Sequence, residues 1–450
     1  MDEILYYSTN LQAPEVNFED ALLSGLAPDK GLYLPKSLPY ISDYEIKSMK
    51  DMSYAQVAGL IAKKFLASEI DEDALDEITQ DAYNFEVPIE KVTGNDHIMR
   101  LDQGPTASFK DFGARMMARL VQYFLKKQNR EITIITATSG DTGSAVAHAF
   151  YGLENIRVVV LFPTHEVSNM QRKQMTTLGK NVTTISIDCK FDDCQAMVKQ
   201  AFSDPLLKEL NLTSANSINV GRLVPQTFYY FYAYSQMVGD GGDIVFSIPS
   251  GNFGNLMAGL FAKKIGLPVK RFISAVNEND EFPKFVETGT YQKMAPSKNC
   301  LSNAMNVGHP SNIARLVAFY GGRMDEKGEI HKMPDMNKIR EDIFTVSVTD
   351  EQTRDAIKNT YENHNTIIEP HGAVSWRGLE IYREETGDQT TGVSLETAHP
   401  AKFPDDVVAL TGVTPQLPES LKSLDGKEEY IETLALGYDQ FRDFLTKKFL

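Results

Sequence analysis

The chain is short of cysteine, of net positive charge and of long apolar runs, and each shortage closes off a class of explanation. Three cysteines among 450 residues, Cys189, Cys194 and Cys300, are too few for a disulfide framework, and their spacing matches no zinc site. A reducing compartment, the cytoplasm, is therefore expected, and no metal ligand set is. Lys and Arg number 45 against 61 Asp and Glu, a net charge of −16. A protein that coats nucleic acid needs cationic surface to displace counterions, so nucleic acid is not an expected partner. Any anionic ligand must be held by a local device and not by the overall field. No apolar stretch approaches the length that spans a bilayer, so no membrane partner is expected either. The start, MDEILYYSTN, lacks the basic and apolar regions of a leader peptide, and none is expected. Neither the dinucleotide pattern Gly-x-Gly-x-x-Gly nor a phosphate loop ending in Gly-Lys-Ser/Thr occurs.

What is present is an ordinary globular composition, 42% hydrophobic and 24% charged, on a chain long enough for two or three domains. Residues 1–95 read as mainly helical. Ser53 to Gln56 fits a capping box before Val57, Leu60, Ile61 and Phe65, and Asp71 is placed to cap a helix carrying Leu75 and Ile78. From about 130 the rhythm changes. Apolar runs at 132–137, 157–162, 182–187, 244–248 and 269–276 alternate with helical patterns, and 393–395 reads as the last strand. Short continuous apolar strands separated by single helices predict largely parallel sheets buried on both faces. The expected architecture is α/β: two open lobes with a cleft between them, the smaller at about 133–225 inserted in a core of 96–400. Residues 401–450 would pack on that core, with Gly239-Asp240-Gly241-Gly242 as the joint between lobes.

Three stretches could carry chemistry. PSGNFGN (249–255) lies where a strand ends and a helix begins. Its glycines let backbone N–H groups approach a ligand, and the helix presents its positive end, which makes a phosphate cradle without Lys or Arg. A βα turn with no ligand has the same composition. TSGDTG (138–143) could seat a carboxylate, although Ser, Thr, Asp and Gly are also what any helix start uses. In GPTASFKDFGAR (104–115), Lys110 sits between Phe109 and Phe112. It is either a helix-start lysine paired with Asp111 or an amine whose burial lowers its pKa, suited to Schiff-base chemistry. Taken together, a desolvated amine, a neutral phosphate cradle and a carboxylate-seating turn suit pyridoxal phosphate acting on an amino acid.

These stretches, with GLAPDKGLYLP (25–35), ATSGDTGSAVAHAFYG (137–152), SANSIN (214–219), EPHGAV (369–374) and TAHPAKF (397–403), resemble in order the threonine synthases. That family belongs to the fold-type II pyridoxal-phosphate enzymes related to the tryptophan synthase β chain, and the resemblance covers nearly the whole chain. It implies that Lys110 holds the cofactor covalently, that Gly251, Asn252, Phe253, Gly254 and Asn255 bind its phosphate, and that Thr397 offers a hydroxyl to the pyridine nitrogen. Ser139, Asp141 and Thr142 would bracket the substrate carboxylate, with Asp141 standing where many wider relatives carry Asn. The implied substrate is O-phospho-L-homoserine, converted with water to L-threonine and phosphate by a monomer or homodimer. Arg115, Asn216, Ser217 and Arg222 are candidates for the substrate phosphate, each equally readable as part of a structural polar network. His371 and His399 read as structural. The rivals are a phospho-amino-acid phospho-lyase on the same fold and a non-catalytic binding relative.

Overall fold

A computed structural model describes residues 3–450 apart from Ser139, Gly239 and Asp240. Two sheets organise these residues. The larger has six strands in the order Ile343–Ser347, Val269–Val276, Ile244–Pro249, Thr391–Glu396, Asp96–Arg100 and Ile89–Thr93. All neighbours run parallel except the last two, which form an antiparallel hairpin. The smaller sheet is parallel throughout, in the order Glu432–Leu434, Val182–Ile187, Ile156–Pro163, Ile132–Ala137 and Leu212–Thr213. Every residue of Ile244–Pro249 and of Val182–Ile187 is buried, as expected when helices cover both faces of a parallel sheet.

The amino-terminal part carries the helices Phe18–Ser24, Asp43–Ser48, Tyr54–Leu66 and Glu72–Ala82. Ser53 and Gln56 form the expected capping box. Asp71 occupies the cap position of its helix but accepts no capping hydrogen bond. The apolar run before Pro35 is a strand, Tyr33–Pro35, paired antiparallel with Tyr6–Ser8, so this part is not purely helical. Thr391–Glu396 is not the last strand. Glu432–Leu434 follows it and pairs with Val182–Ile187, and the final helix, Tyr438–Phe449, buries Phe441 and Leu445 against Cys194, Met197 and Val198. The carboxyl-terminal segment thus completes the smaller sheet. The expected joint at 239–242 has its first two residues outside the described set; Gly241 and Gly242 that follow have φ of 115° and 127°, a region glycine enters without strain.

The two phenylalanines around Lys110 do different work. Phe112 is fully buried and meets Tyr54, Phe85 and Tyr229 edge-on, and its carbonyl accepts a hydrogen bond from the Tyr83 hydroxyl at 3.0 Å. It therefore locks the start of the helix Lys110–Gln128 to the amino-terminal helices. Phe109 is half-buried and faces a cavity. The position of Lys110 is set by core packing on one side and left open on the other.

Candidate active site

The cavity encloses about 710 Å³ between the carboxyl ends of the two sheets. In open α/β sheets ligands bind in the crevice outside the carboxyl ends of the strands, and adjacent strands supply the lining here. Ile244–Pro249 runs into Ser250–Asn255, its neighbour Thr391–Glu396 runs into Thr397 and Ala398, and Ile132–Ala137 of the smaller sheet leads to Thr138, Gly140 and Asp141.

Lys110 is the first residue of its helix and lines this cavity. The segment before it is sewn to the one after the Thr391–Glu396 strand. The Phe109 N–H donates to the Thr397 carbonyl at 2.9 Å, and the His399 N–H donates to the Ala107 carbonyl at 3.1 Å. Ala107 adopts a left-handed φ of 53° to make that turn. Lys110 and Thr397 are thereby held beside each other. Burial lowers the Lys110 pKa; Asp141 opposes that shift, and the nearby charges of Lys402 and Arg222 add to it. Asp111, the alternative partner of Lys110, spends its carboxylate on Thr106, accepting from that residue's N–H and hydroxyl at 2.8 Å each. Asp111 is therefore bonded to Thr106 and not paired with Lys110.

All five residues of the Gly251–Asn255 turn line the cavity. Phe253 is buried at a left-handed φ of 60° and packs against Phe282 at 4.7 Å between ring centroids. A non-glycine residue held in that conformation is a mark of functional sites. The helix Gly254–Lys264 begins without any side-chain cap, so no side chain satisfies its first N–H groups. Asn255 accepts at Oδ1 from the Tyr229 and Tyr230 hydroxyls at 2.6 and 2.5 Å, which leaves its buried Nδ2 without a partner. Asn252 accepts at Oδ1 from the Ser311 N–H at 3.1 Å, tying the turn to the next wall of the cavity. An uncapped helix start and an orphaned amide donor on one turn fit the phosphate of a pyridoxal-type cofactor, with no cation needed.

The TSGDTG turn is organised by Thr138. Its hydroxyl accepts from the Gly140 and Gly143 N–H groups at 3.0 Å each. Gly140 has φ of 155°, and a Cβ there would come within 2.5 Å of the Gln171 amide. Ser139 lies outside the described residues; Thr142 is half-buried on the cavity wall. The Asp141 side chain is not available to a substrate carboxylate. Its Oδ1 lies 2.6 Å from Lys402 Nζ and 3.0 Å from Gln171 Nε2. Burial alone would raise its pKa, but Lys402 and then Lys110 outweigh that and hold it below the usual carboxylate range.

Of the four phosphate candidates, Asn216, Ser217 and Arg222 line the cavity and Arg115 does not. Arg115 corrects the expectation: its guanidinium is consumed by the carbonyls of Ala82 and Asp81 and by Asn84 Oδ1, at 2.6 to 3.0 Å, tying the helix to the amino-terminal part. Arg222 is buried, donates from Nη1 to the Ala215 carbonyl at 2.7 Å, and keeps Nε without a partner. Burial pulls its pKa down to about 10, with Asp111 opposing. His399 accepts from the Ala401 N–H, a structural use. His371 is both structural and on the cavity wall, bonded to Glu369 and to the Ala304 N–H. Lys402 and Gln171 carried no isolated signal, since both sit far in sequence from the turn they hold.

Three family models account for most of the chain: threonine synthase N terminus over residues 5–83, pyridoxal-phosphate dependent enzyme over 91–397, and threonine synthase, C-terminal over 373–445. The threonine synthase of Serratia marcescens is 41% identical over 433 residues, covering 96% of each chain. Among solved structures, pyridoxal-phosphate-bound threonine synthase from Brucella melitensis superposes with a TM-score of 0.93 at 34% identity, covering 99% of each chain. The yeast enzyme superposes at 0.92 with 31% identity, covering 99% of this chain and 98% of its own. The chain belongs to the threonine synthase family of pyridoxal-phosphate-dependent lyases.

Proposed function

We propose that this chain converts O-phospho-L-homoserine and water into L-threonine and phosphate, with Lys110 as the amine that holds the cofactor and moves the protons. The observation that carries this reading is a half-buried lysine lining the same cavity as an uncapped, glycine-bearing helix start. Pyridoxal phosphate, when bound, supplies an aldehyde that condenses with amines and a ring that delocalises the electrons of a deprotonated carbon.

The Gly251–Asn255 turn grips the cofactor phosphate through main-chain N–H groups and Asn255. Thr397 offers the ring nitrogen a hydroxyl, which favours a protonated ring less than a carboxylate would. Lys110 Nζ, its pKa lowered by burial, removes the proton from substrate Cα and then one from Cβ, returns one to Cγ after phosphate departs, and restores the one at Cα once water has added at Cβ. Arg222, with Asn216 and Ser217, binds the departing phosphate, its guanidinium supplying the charged donor. Thr142 and Ser139 take the substrate carboxylate, and the Asp141 side chain does not. The cavity walls exclude bulk water so that one positioned molecule adds at Cβ. All three thiols are free, which suits work in a reducing cytoplasm.

Incubation with O-phosphohomoserine should release threonine and phosphate in equal amounts, and Lys110→Ala should abolish both. Phosphate accompanied by a keto acid, without threonine, would identify a phospho-lyase instead.

A further inference from the structure

Lys402 is almost wholly buried, 1% exposed at the side chain, and lies near the end of a motif whose earlier residue Thr397 faces the cavity. Its ammonium makes two contacts: Asp141 Oδ1 at 2.6 Å and the Thr106 carbonyl at 3.0 Å. Thr106 belongs to the loop that leads into Lys110, and Gln174 Nε2 donates to the same carbonyl at 3.0 Å. Asp141 starts a helix of the smaller lobe and faces Lys110 as well as Lys402. One carboxylate thus lies within the field of two ammonium groups, the buried Lys402 and the half-buried Lys110, and it makes its short contact with Lys402.

That arrangement matters because Asp141 and Lys110 have opposing needs. A buried carboxylate facing a lone lysine would hold that lysine protonated, and a protonated amine neither condenses with an aldehyde nor accepts a proton. We propose that Lys402 is a positioning residue for Lys110: it takes up the charge of Asp141 and anchors the Thr106 loop, so that Lys110 can shed its proton inside the cavity. The proposal rests on the reading of Lys110 as the reacting amine and adds the residue that keeps it so. The other charged groups facing Lys110 are Arg222, which also favours the neutral amine, and Glu369, which opposes it. Glu369 is already engaged by the N–H groups of His371 and Gly372 and by the His371 ring. Asp111 is engaged by Thr106, so Asp141 is the carboxylate whose partner decides the balance.

The test reads Lys110 directly and does not depend on turnover. Cofactor-free protein is labelled with a trace of acetic anhydride across pH 6 to 11, and acetylation of the Lys110 peptide is quantified by mass spectrometry. Lys402→Met should cut labelling of Lys110 at pH 8 by about tenfold, one unit of upward pKa shift. Lys402→Arg should restore most of it, and Lys402→Met with Asp141→Asn should return labelling to the wild-type level or above. Unchanged labelling in Lys402→Met, or a double variant no better than the single, would overturn the proposal. Should Lys402→Met fail to fold by circular dichroism, Asp141→Asn alone decides: labelling must rise, and no rise refutes the idea. Failure of the functional reading is separate, because it would appear as activity surviving in Lys110→Ala.

Discussion

Glu369 and His371, two residues apart in the first turn of the helix Pro370–Thr386, bring carboxylate and imidazole Nδ1 to 2.5 Å. Because Nδ1–H donates to Glu369, Nε2 is the free acceptor, and it receives the Ala304 N–H at 3.1 Å. Ala304 stands amid Asn303, Met305 and Asn306, all on the cavity wall. The pair therefore supports one wall of the cavity.

His371→Ala should take the acceptor from the Ala304 N–H and leave the buried Glu369 carboxylate without its imidazole donor, at a cost of about 1–3 kcal/mol. The expected outcome is a melting temperature lowered by several degrees and a KM raised about tenfold. His371→Gln, whose side-chain oxygen can accept the same N–H, should recover much of both. Melting curves and initial-rate kinetics on the two variants check this, and an Ala variant with unchanged KM would show the wall to be self-supporting.

Gly254 separates the needs of the fold from those of the ligand. A Cβ built there meets nothing nearer than Gln226 Nε2 at 3.7 Å, an ordinary contact, and the residue opens a helix where alanine is welcome. It also lines the cavity at the turn assigned to phosphate. Gly254→Ala should therefore keep its melting temperature yet bind pyridoxal phosphate at least tenfold more weakly, while binding of pyridoxal, which has no phosphate, changes little. Equilibrium dialysis of both compounds decides it. Equal losses for the two would remove the phosphate from this turn.

How much of this was legible in the sequence follows from which forces are local. The strand Val182–Ile187 and its neighbours were readable because burial on both faces demands unbroken apolar runs. Glu432–Leu434 was not, since its residues are exposed or half-buried and only pairing with Val182–Ile187 makes it a strand. The Ile89–Thr93 hairpin strand hid for the same reason, with a largely exposed pattern. At the site, Lys110 and the Gly251–Asn255 turn announced themselves through local chemistry. Lys402, Gln171 and Glu369 did not, because each acts on a residue that only the tertiary fold brings within reach. Arg115 carried a misleading signal: a motif position whose guanidinium faces the amino-terminal helices.

The two hydroxyls on Asn255 should behave as a unit. Tyr229 and Tyr230 both reach its Oδ1, and that shared contact turns the amide nitrogen away from them. Either Tyr→Phe change alone leaves one donor and should cost on the order of 1 kcal/mol. The double change leaves the oxygen buried with neither, so its cost should exceed the sum of the single ones by about 1 kcal/mol. A double-mutant cycle in urea, with a cofactor titration on each variant, measures both effects. Strict additivity would mean that the two tyrosines only fill space.

A buried acid outside the cavity lining gives a stability prediction with a definite pH direction. Glu281 is 4% exposed, and its Oε2 has no partner. Burial, helped by Asp280, pushes its carboxyl up to about 7, against its own backbone N–H and Lys284. In the unfolded chain the same group titrates near pH 4.3, so the folded state binds the proton more tightly. Stability contributed by the protonated form is complete below about pH 4, declines as pH rises toward 7, and is gone above that. Glu281→Gln, neutral at every pH, should match the wild type near pH 4.5 and exceed it at pH 8 by on the order of 2 kcal/mol. Urea unfolding at the two values provides the comparison. A variant that gains equally at both would locate the effect in packing and not in the proton.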